Sequence, residues 1–393
     1  MRFSVLLPTR NGGRFLADCI ASILEQPYPD LELVVSDNAN TDETPAVIAS
    51  FAGDSRLKAV RLDQPVCVTD NWNCALRASS GDYLLMMGDD DCLLPGYFEK
   101  VERVLDQYGN PDCITYNAYS YVAHGAIKGN LQSYYKETFF RFDPDFDGEG
   151  VISLDMRFAI VRDMFRFRNR IPLNMQTTLI SRRAANRIAG GVFQPPFPDH
   201  YALNSLLLNA KTWVYVPENL LVVGVSPKSF GHFVYSDKQD EGKKYLGIES
   251  NFDGLLPGIE LNNCMYLWLT RLKENYKDRL SGIKISRAAY VKRQVYSWYL
   301  QYRSGAASPG QLVRWAGLLS FADWLYLLAS VFDRQSWQRL WLLLRSSKKN
   351  TIQYVWQGAL PLENISNIKE FAEWISRRVP PERAASQFRG SER

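Results

Sequence analysis

The 393-residue sequence predicts an α/β protein, in which a mostly parallel sheet flanked by helices is followed by a mainly α-helical C-terminal region. Between residues 3 and 116, short apolar runs alternate with segments whose apolar residues recur at helical spacing. Residues 251–393 instead carry eight of the ten tryptophans. The charge divides in the same way: 25 Lys/Arg against 31 Asp/Glu before residue 251 (−6), and 21 against 11 after it (+10).

Each predicted strand is a short apolar run that ends at a turn or polar residue. Between the runs, helices are predicted from periodic apolar residues, from caps near Thr41–Thr44 and Thr69, and from Pro95 at a helix start. Such βαβ alternation implies right-handed crossovers, and ligands then bind at the carboxyl ends of the strands. The predicted strands are Phe3–Leu7, Leu31–Val35, Leu57–Leu62, Tyr83–Met87 and Cys113–Tyr116.

Acidic residues follow two of these strands. Asp89, Asp90 and Asp91 follow the fourth strand, and Asp37 follows the second. Three adjacent carboxylates need a counter-charge, or one of them takes up a proton. A divalent cation supplies that charge, and Mg²⁺ commonly combines one or two carboxylates with substrate phosphates. The cluster therefore predicts a Mg²⁺ or Mn²⁺ site, with a solvated acidic turn as the alternative.

Three blocks of sequence, in this order and spacing, resemble the family 2 glycosyltransferases, which have the Rossmann-like GT-A fold. A weaker resemblance continues through Gly190–Phe193 and Pro198–Tyr201, so that it covers about residues 1–225. The first strand is followed by neither GxGxxG nor a P-loop motif, which disfavours dinucleotide and P-loop chemistry. The three blocks are residues 4–11, 33–42 and 81–91.

The resemblance implies an inverting transfer of a sugar from a nucleotide-diphosphate donor to a hydroxyl of a saccharide or lipid-linked saccharide. In the family, the aspartate at the position of Asp37 most often meets uracil, which favours a UDP-sugar. The resemblance places Asp91 and Asp89 on the metal. His232 matches a late histidine that some GT-A enzymes use there, and a loop histidine without this role is the alternative. The residues assigned to the donor are Pro8, Thr9, Arg10, Asp37, Asn71, Asp89 and Asp90.

Asp199 falls where the family keeps its catalytic base. Inversion in one displacement needs a base that removes the proton of the acceptor hydroxyl, and a positioned carboxylate can do this. The base must act across the sugar from the leaving diphosphate, so a distant segment of the chain should supply it. Asp199 lies 108 residues beyond Asp91, after a proline-rich approach. An ordinary helix N-cap is the alternative interpretation of Asp199.

The sequence divides into a catalytic domain (residues 1–235), a linker (236–262) and a basic, tryptophan-rich helical region (263–393). Tryptophan flanked by arginine is typical of helices that lie in a membrane interface. Packing on the catalytic domain, or on a second subunit in a homo-oligomer, is the alternative. Six cysteines without a CxxC pair suit a reducing compartment. We therefore expect a cytoplasmic protein that binds the cytoplasmic face of the membrane.

Other functions fit the sequence less well. A sugar nucleotidyltransferase usually has a glycine-rich first loop with a lysine, and this loop is absent here. A non-catalytic sugar-binding or scaffold protein of the same fold would have no need for Asp89, Asp91 and Asp199. Nucleic-acid binding is disfavoured because the half that resembles a nucleotide-binding domain is acidic.

Overall fold

The parallel half of the sheet holds four strands in the order β3-β2-β1-β4. In this computed structural model the described residues are 3–126, 132–137, 148–169, 174–227, 239–248, 255–258, 260–329, 337 and 359–378. All four strands run in the same direction, because each is reached through a crossover helix. Their carboxyl ends therefore meet at one edge. The strands are β1 (Phe3–Thr9), β2 (Leu31–Asp37), β3 (Leu57–Arg61) and β4 (Tyr83–Met86).

The helices of this half lie on both faces of the sheet. In α1, the residues Leu16, Cys19, Ile20 and Ile23 recur at helical spacing and are fully buried against the sheet. The last helix begins after Gly96, whose φ of 77° is in the left-handed region that favours glycine. The helices are α1 (Gly13–Leu24), α2 (Thr44–Ser50), α3 (Val68–Ala78) and α4 (Tyr97–Gln107).

Beyond β4 the sheet becomes mixed. Strand β9 enters between β4 and β6 and is antiparallel to both, while β10 runs parallel to β6. The predicted α/β class with flanking helices is confirmed. The predicted parallel arrangement holds for the N-terminal half, since β9 follows a long insertion rather than a crossover helix. The remaining strands are β5 (Cys92–Leu93), β6 (Cys113–Val122), β7 (Ser133–Lys136), β8 (Gly150–Val151), β9 (Thr178–Ser181) and β10 (Trp213–Val225).

Helices α5 (Leu154–Met164), α6 (Arg182–Ala185) and α7 (Pro198–Asn209) cover one face of this second half. Ser153 caps α5 by accepting a hydrogen bond from the Met156 N–H. The buried Arg157 guanidinium donates to the carbonyl of Ala210, 2.6 Å away, and so ties α5 to the end of α7. Helix α7 is buried along most of its length in the larger hydrophobic core.

The C-terminal region contains a pair of longer helices. Helices α9 and α10 are separated by residues 276–286, and a short break at residues 305–308 follows α10. The apolar stretch that begins at Gln311 forms two short helices rather than one, because the chain turns at residues 317–320. These elements are α8 (Gln239–Leu246), α9 (Glu260–Asn275), α10 (Arg287–Ser304), α11 (Pro309–Ala316) and α12 (Phe321–Ala329).

The chain then returns to the edge of the sheet. Strand β11 (Leu360–Leu362) pairs with β7, and α13 (Ile368–Arg378) packs beside it. Phe371 of α13 is fully buried and stacks on Tyr121, with ring centroids 5.6 Å apart. Apolar and aromatic burial of this kind fixes the end of the described chain on the α/β unit.

No single helix within the described residues is both long and apolar enough to cross a membrane. Helices α11 and α12 reach that length and composition only together, and they are bent by 109°.

Candidate active site

The carboxyl ends of β1 and β4 meet at a hydrogen bond. The Thr9 hydroxyl donates to Asp89 Oδ2 over 2.7 Å. Gly12 lies against this pair, since a Cβ there would be 2.5 Å from both oxygens, and only glycine allows this approach. Pro8 is half-buried beside Thr9, and Arg10 is exposed at the start of the next loop. The structure therefore brings together the residues assigned to the donor on these two strands.

Asp37 lies at the end of β2 with most of its surface buried. Its Oδ1 accepts a hydrogen bond from the Asn40 N–H at 2.9 Å, and its Oδ2 forms an ion pair with Arg61 at 2.6 Å. A carboxylate has about four acceptor positions, so these two contacts leave room for a further donor. The sequence analysis did not identify Arg61. Its position at the end of β3 could have indicated this contact, because the sheet register pairs Arg61 with Asp37.

Asn71 is buried on α3 and faces the protein. Its carboxamide oxygen accepts a hydrogen bond from the Ser36 hydroxyl at 2.7 Å. This bond joins α3 to the end of β2, next to Asp37. Asn71 therefore supports the strand end that carries Asp37, while its assignment to nucleotide or sugar contact stays a prediction.

Asp91 is the buried member of the acidic cluster. Its Oδ2 accepts the Gly88 N–H at 2.7 Å, and its Oδ1 accepts the Gly224 N–H at 3.0 Å. Burial, followed by the negative charge of Asp90, raises the pKa of Asp91 well above its usual range. Asp91 thus fastens the loop after β4 to β10, whereas Asp89 and Asp90 are only half-buried.

The acidic loop supplies oxygen ligands of the kind that Mg²⁺ and Mn²⁺ prefer. Asp89 and Asp90 fit such an ion, because they are half-exposed at the strand end beside Thr9 and leave positions for phosphates. Within the described residues, no group of three or more His, Cys, Asp or Glu side chains is placed so that it could hold a metal ion by itself. His232, the third candidate ligand, lies outside the described residues.

Asp199 occupies the second position of α7, where Phe197 is the N-cap and no side chain caps the helix. The alternative interpretation of Asp199 as an N-cap is therefore wrong. Two helices hold the chain that leads to Asp199. Asn73 of α3 donates to the carbonyl of Phe193 at 3.0 Å, and Arg271 of α9 donates to that of Pro195 at 2.7 Å. Asp199 is therefore half-buried and follows a segment that α3 and α9 hold in place.

His200, the neighbour of Asp199, is part of an aromatic stack. Its ring stacks on the buried Trp268 of α9 with centroids 5.7 Å apart and meets the edge of Phe197. Helix α9 further contacts α7 through Asn275, which donates to the Tyr201 hydroxyl at 2.7 Å. The first turn of α7 is therefore braced by the C-terminal region.

Tyr245 of α8 is within electrostatic range of both the acidic cluster and Asp199. Burial of its phenol group, followed by the charges of Asp89, Asp199 and Asp90, raises the pKa of Tyr245 above its ordinary value, while 38% of the residue's surface stays exposed. Its neighbour Leu246 is buried with Val68 and Cys264, which places α8 between α3 and α9. No motif indicated Tyr245, because the sequence predicted a linker at residues 236–262.

Part of this site lies in a segment that matches a known family. Residues 4–166 match the family model described as "Glycosyl transferase family 2". This region belongs to glycosyltransferase family 2. Asp37, Asn71 and the acidic loop all lie inside the match, while Asp199 and Tyr245 lie beyond its end. The family 2 region therefore contains the residues assigned to the donor, and later segments supply Asp199 and Tyr245.

Curated relatives match only part of this chain. An uncharacterized glycosyltransferase of Rickettsia prowazekii is 27% identical over 30% of this chain and 36% of its own length. A GalNAc(5)-diNAcBac-PP-undecaprenol beta-1,3-glucosyltransferase of Campylobacter jejuni is 34% identical over 24% of this chain and 31% of its own length. The chain thus spans about a third of the length of these relatives.

Among solved structures, residues 1–349 of TarS from Staphylococcus aureus in complex with UDP-GlcNAc superpose with a TM-score of 0.47. The two chains share 16% identity, over 78% of this chain and 83% of the other.

Proposed function

We propose that this protein is a glycosyltransferase that moves a sugar from a nucleotide-diphosphate donor to a hydroxyl group, with inversion at C1. One observation carries the proposal. Within a family 2 region, the ends of β1 and β4 join at Thr9 and Asp89, and the charges of Asp89 and of the distant Asp199 both act on Tyr245. We infer that the proposed donor residues and the candidate base border the same site.

The nucleotide lies across the ends of β1 and β2 in this proposal. The half-buried Pro8 and the Thr9 backbone border it, and the exposed Arg10 supplies positive charge for the diphosphate. Asp37 accepts a hydrogen bond from the base, held in place by Arg61 and the Asn40 N–H. The preference for a UDP-sugar comes from the family resemblance, in which the aspartate at this position most often meets uracil.

Mg²⁺ or Mn²⁺ is the proposed cofactor, held by Asp89 and Asp90. When bound, the ion neutralises the negative charge that develops on the departing diphosphate. Asp91 contributes by holding the loop on β10 through Gly88 and Gly224. The assignments of Asp91 and His232 as direct ligands stay predictions.

Asp199 is the proposed general base. Its carboxylate takes the proton from the acceptor hydroxyl while that oxygen forms a bond to C1 of the sugar. The bond from C1 to the diphosphate oxygen breaks at the same time, and the nucleoside diphosphate leaves from the opposite face. Tyr245 would border the sugar, since the charges of both Asp89 and Asp199 act on its phenol group.

The proposed acceptor is a saccharide, and a lipid-linked saccharide is favoured. The relative from Campylobacter jejuni is named for a saccharide linked through a diphosphate to undecaprenol, and this supports a lipid-linked acceptor.

A screen of nucleotide sugars tests the proposal. Purified protein is mixed with each donor, with and without Mn²⁺, and release of the nucleoside diphosphate is measured by chromatography. We expect turnover of one donor, its loss in excess EDTA and its recovery on adding Mn²⁺. Full turnover in EDTA would exclude the metal role, and no turnover of any donor, together with tight donor binding, would favour a non-catalytic sugar-binding protein.

A further inference from the structure

Helix α12 turns an apolar stripe away from the protein. Phe321, Trp324, Leu325 and Leu328 occupy positions i, i+3, i+4 and i+7, which share one face of a helix. Their exposed fractions run from 46% for Trp324 to 80% for Phe321. An amphipathic surface helix normally buries such a stripe against the core. In α12 the stripe faces outward instead.

The single charged residue of α12 faces inward. Asp323 is 2% exposed, and its two oxygens accept hydrogen bonds from Arg287 of α10 at 3.0 and 2.9 Å. The Ser320 N–H also donates to Asp323 at 3.2 Å. A bidentate Arg–carboxylate pair restricts geometry as well as adding energy. Asp323 therefore fixes the rotation of α12 that presents the stripe outward.

Helix α11 and the turn after it add two more exposed apolar residues. Val313 and Leu318 are more than half exposed, at 73% and 62%. Trp315 of α11 instead packs against Trp298 of α10, with centroids 5.7 Å apart. We call the exposed apolar residues of these two helices the apolar face. They are Val313, Leu318, Phe321, Trp324, Leu325 and Leu328.

The segment that leads into the apolar face is positively charged in sequence. Residues 279–322 contain seven Lys and Arg residues and no Asp or Glu. Arg314 is exposed directly beside Val313. Arg287 is one of the seven and pairs with Asp323, the next acidic residue, which leaves six cations outside that ion pair. The charge of this segment is therefore complementary to a negative surface.

Each helix is too short to cross a bilayer in the observed geometry. At 1.5 Å per residue, the 8-residue α11 and the 9-residue α12 are about 12 and 14 Å long. The hydrocarbon core is about 30 Å thick. The 109° bend between the helices instead suits a pair that lies in the interface with one side immersed.

We propose that the apolar face binds the surface of an anionic bilayer, with the two helices embedded at the level of the lipid headgroups. The stripe of Phe321, Trp324, Leu325 and Leu328 enters the acyl boundary, and the surrounding cations meet anionic headgroups. Binding to lipid does not depend on which donor the enzyme uses, so this inference and the proposed function can fail separately.

Vesicle sedimentation of the full chain tests the proposal. The protein is spun with vesicles of phosphatidylcholine alone and with vesicles containing phosphatidylglycerol, at low and high salt. We expect binding to the anionic vesicles that weakens as salt rises. In the F321S/L328S double variant we expect binding at least about tenfold weaker, because two apolar anchors are lost.

A matched control separates this surface from exposed apolar residues in general. Val151 and Leu154 are 50% and 53% exposed on β8 and α5. The V151S/L154S variant should bind vesicles like the wild type, and both double variants should keep the wild-type unfolding temperature. Equal loss in both variants would overturn the assignment to the apolar face.

Two further results would overturn the proposal. One is a wild-type protein that binds no vesicles. The other is a dimer in light scattering that F321S/L328S converts to a monomer, without any change in vesicle binding, because the apolar face would then bind a second copy of this chain.

Discussion

Two neighbouring helix pairs in the C-terminal region differ in where they place similar residues. Helices α9 and α10 bury Trp268, Tyr290 and Trp298 in the larger core. Helices α11 and α12 expose Phe321 and Trp324 instead. Both pairs are aromatic and follow each other in the chain. The difference teaches that aromatic composition alone does not distinguish a helix pair that packs in the core from a pair that exposes its aromatic side chains.

The buried pair supports the segment that carries Asp199, the proposed base. Trp268 stacks on His200, and Arg271 donates to the carbonyl of Pro195, so α9 holds both sides of Asp199. In contrast, α11 and α12 contact α10 and lie one helix further out. The region predicted as a separate helical unit therefore contains one helix that supports the Asp199 segment and a pair that packs on α10.

The largest expected effect comes from Trp268→Ala. Truncating a fully buried tryptophan should lower the free energy of unfolding by about 3–5 kcal/mol. Trp324→Ala, its exposed counterpart on α12, should change it by less than about 0.5 kcal/mol. Urea unfolding followed by circular dichroism compares the two. Similar values for both variants would remove the distinction between the helix pairs.

The next largest effect is expected for Asp199→Asn. Transfer should fall roughly 10²-fold or more, while donor binding stays within a few-fold, because only the proton acceptor is lost. Asp155→Asn is a matched control, since Asp155 holds the same second position in α5. Single-turnover transfer and calorimetric donor binding are the measurements. An equal loss of donor affinity would make Asp199 a binding residue, and unchanged transfer would move the base elsewhere.

Asp323→Asn should destabilise the exposed helices α11 and α12 without destabilising α9. Hydrogen bonds from Arg287 lower the pKa of Asp323, so its stabilisation is present above the unfolded pKa of about 3.9 and is lost as pH falls through the folded value. At pH 7 the variant should lose about 1.5 kcal/mol, seen as roughly tenfold faster hydrogen exchange in α12. Exchange in α9 should not change.

The pH dependence provides the check on Asp323. Because Arg287 lowers the pKa of Asp323, the difference in α12 exchange between wild type and variant should persist down to about pH 4 and shrink below it, where the wild-type carboxyl takes up a proton. A difference that stays unchanged as pH falls from about 4 to about 2 would show that the charge of Asp323 does not hold α12.

The smallest effect is expected for Tyr245→Phe. Loss of one hydroxyl near the Asp89 and Asp199 carboxylates should lower turnover about fivefold, in line with one hydrogen bond of about 1 kcal/mol. Tyr326→Phe on α12 is the control, since its hydroxyl belongs to the exposed pair, and it should leave turnover unchanged. Unchanged turnover in Tyr245→Phe as well would place α8 outside the site.

Local sequence signals were sufficient to predict which strand ends carry the proposed donor residues. Apolar runs that end just before Thr9, Asp37 and Asp89 predicted these strands, and parallel strands place such ends at one edge. The pairing of Asp37 with Arg61 follows from the register between β2 and β3, which the sequence does not state. No sequence pattern indicated that Asp91 is buried and accepts hydrogen bonds from two backbone N–H groups, because one of them belongs to Gly224, which is 133 residues away.

The sequence by itself determined the α/β class, the acidic loop, and the family of residues 4–166, because alternation of apolar runs and short motifs are local properties of the chain. Tertiary structure alone decided that Tyr245 stands near Asp199, that α9 braces α7, and that Asp323 turns inward. Those outcomes depend on long-range packing and on one buried ion pair. The same pattern of tryptophan and arginine is compatible with a buried or an exposed helix, and only the neighbours of each helix decide between them.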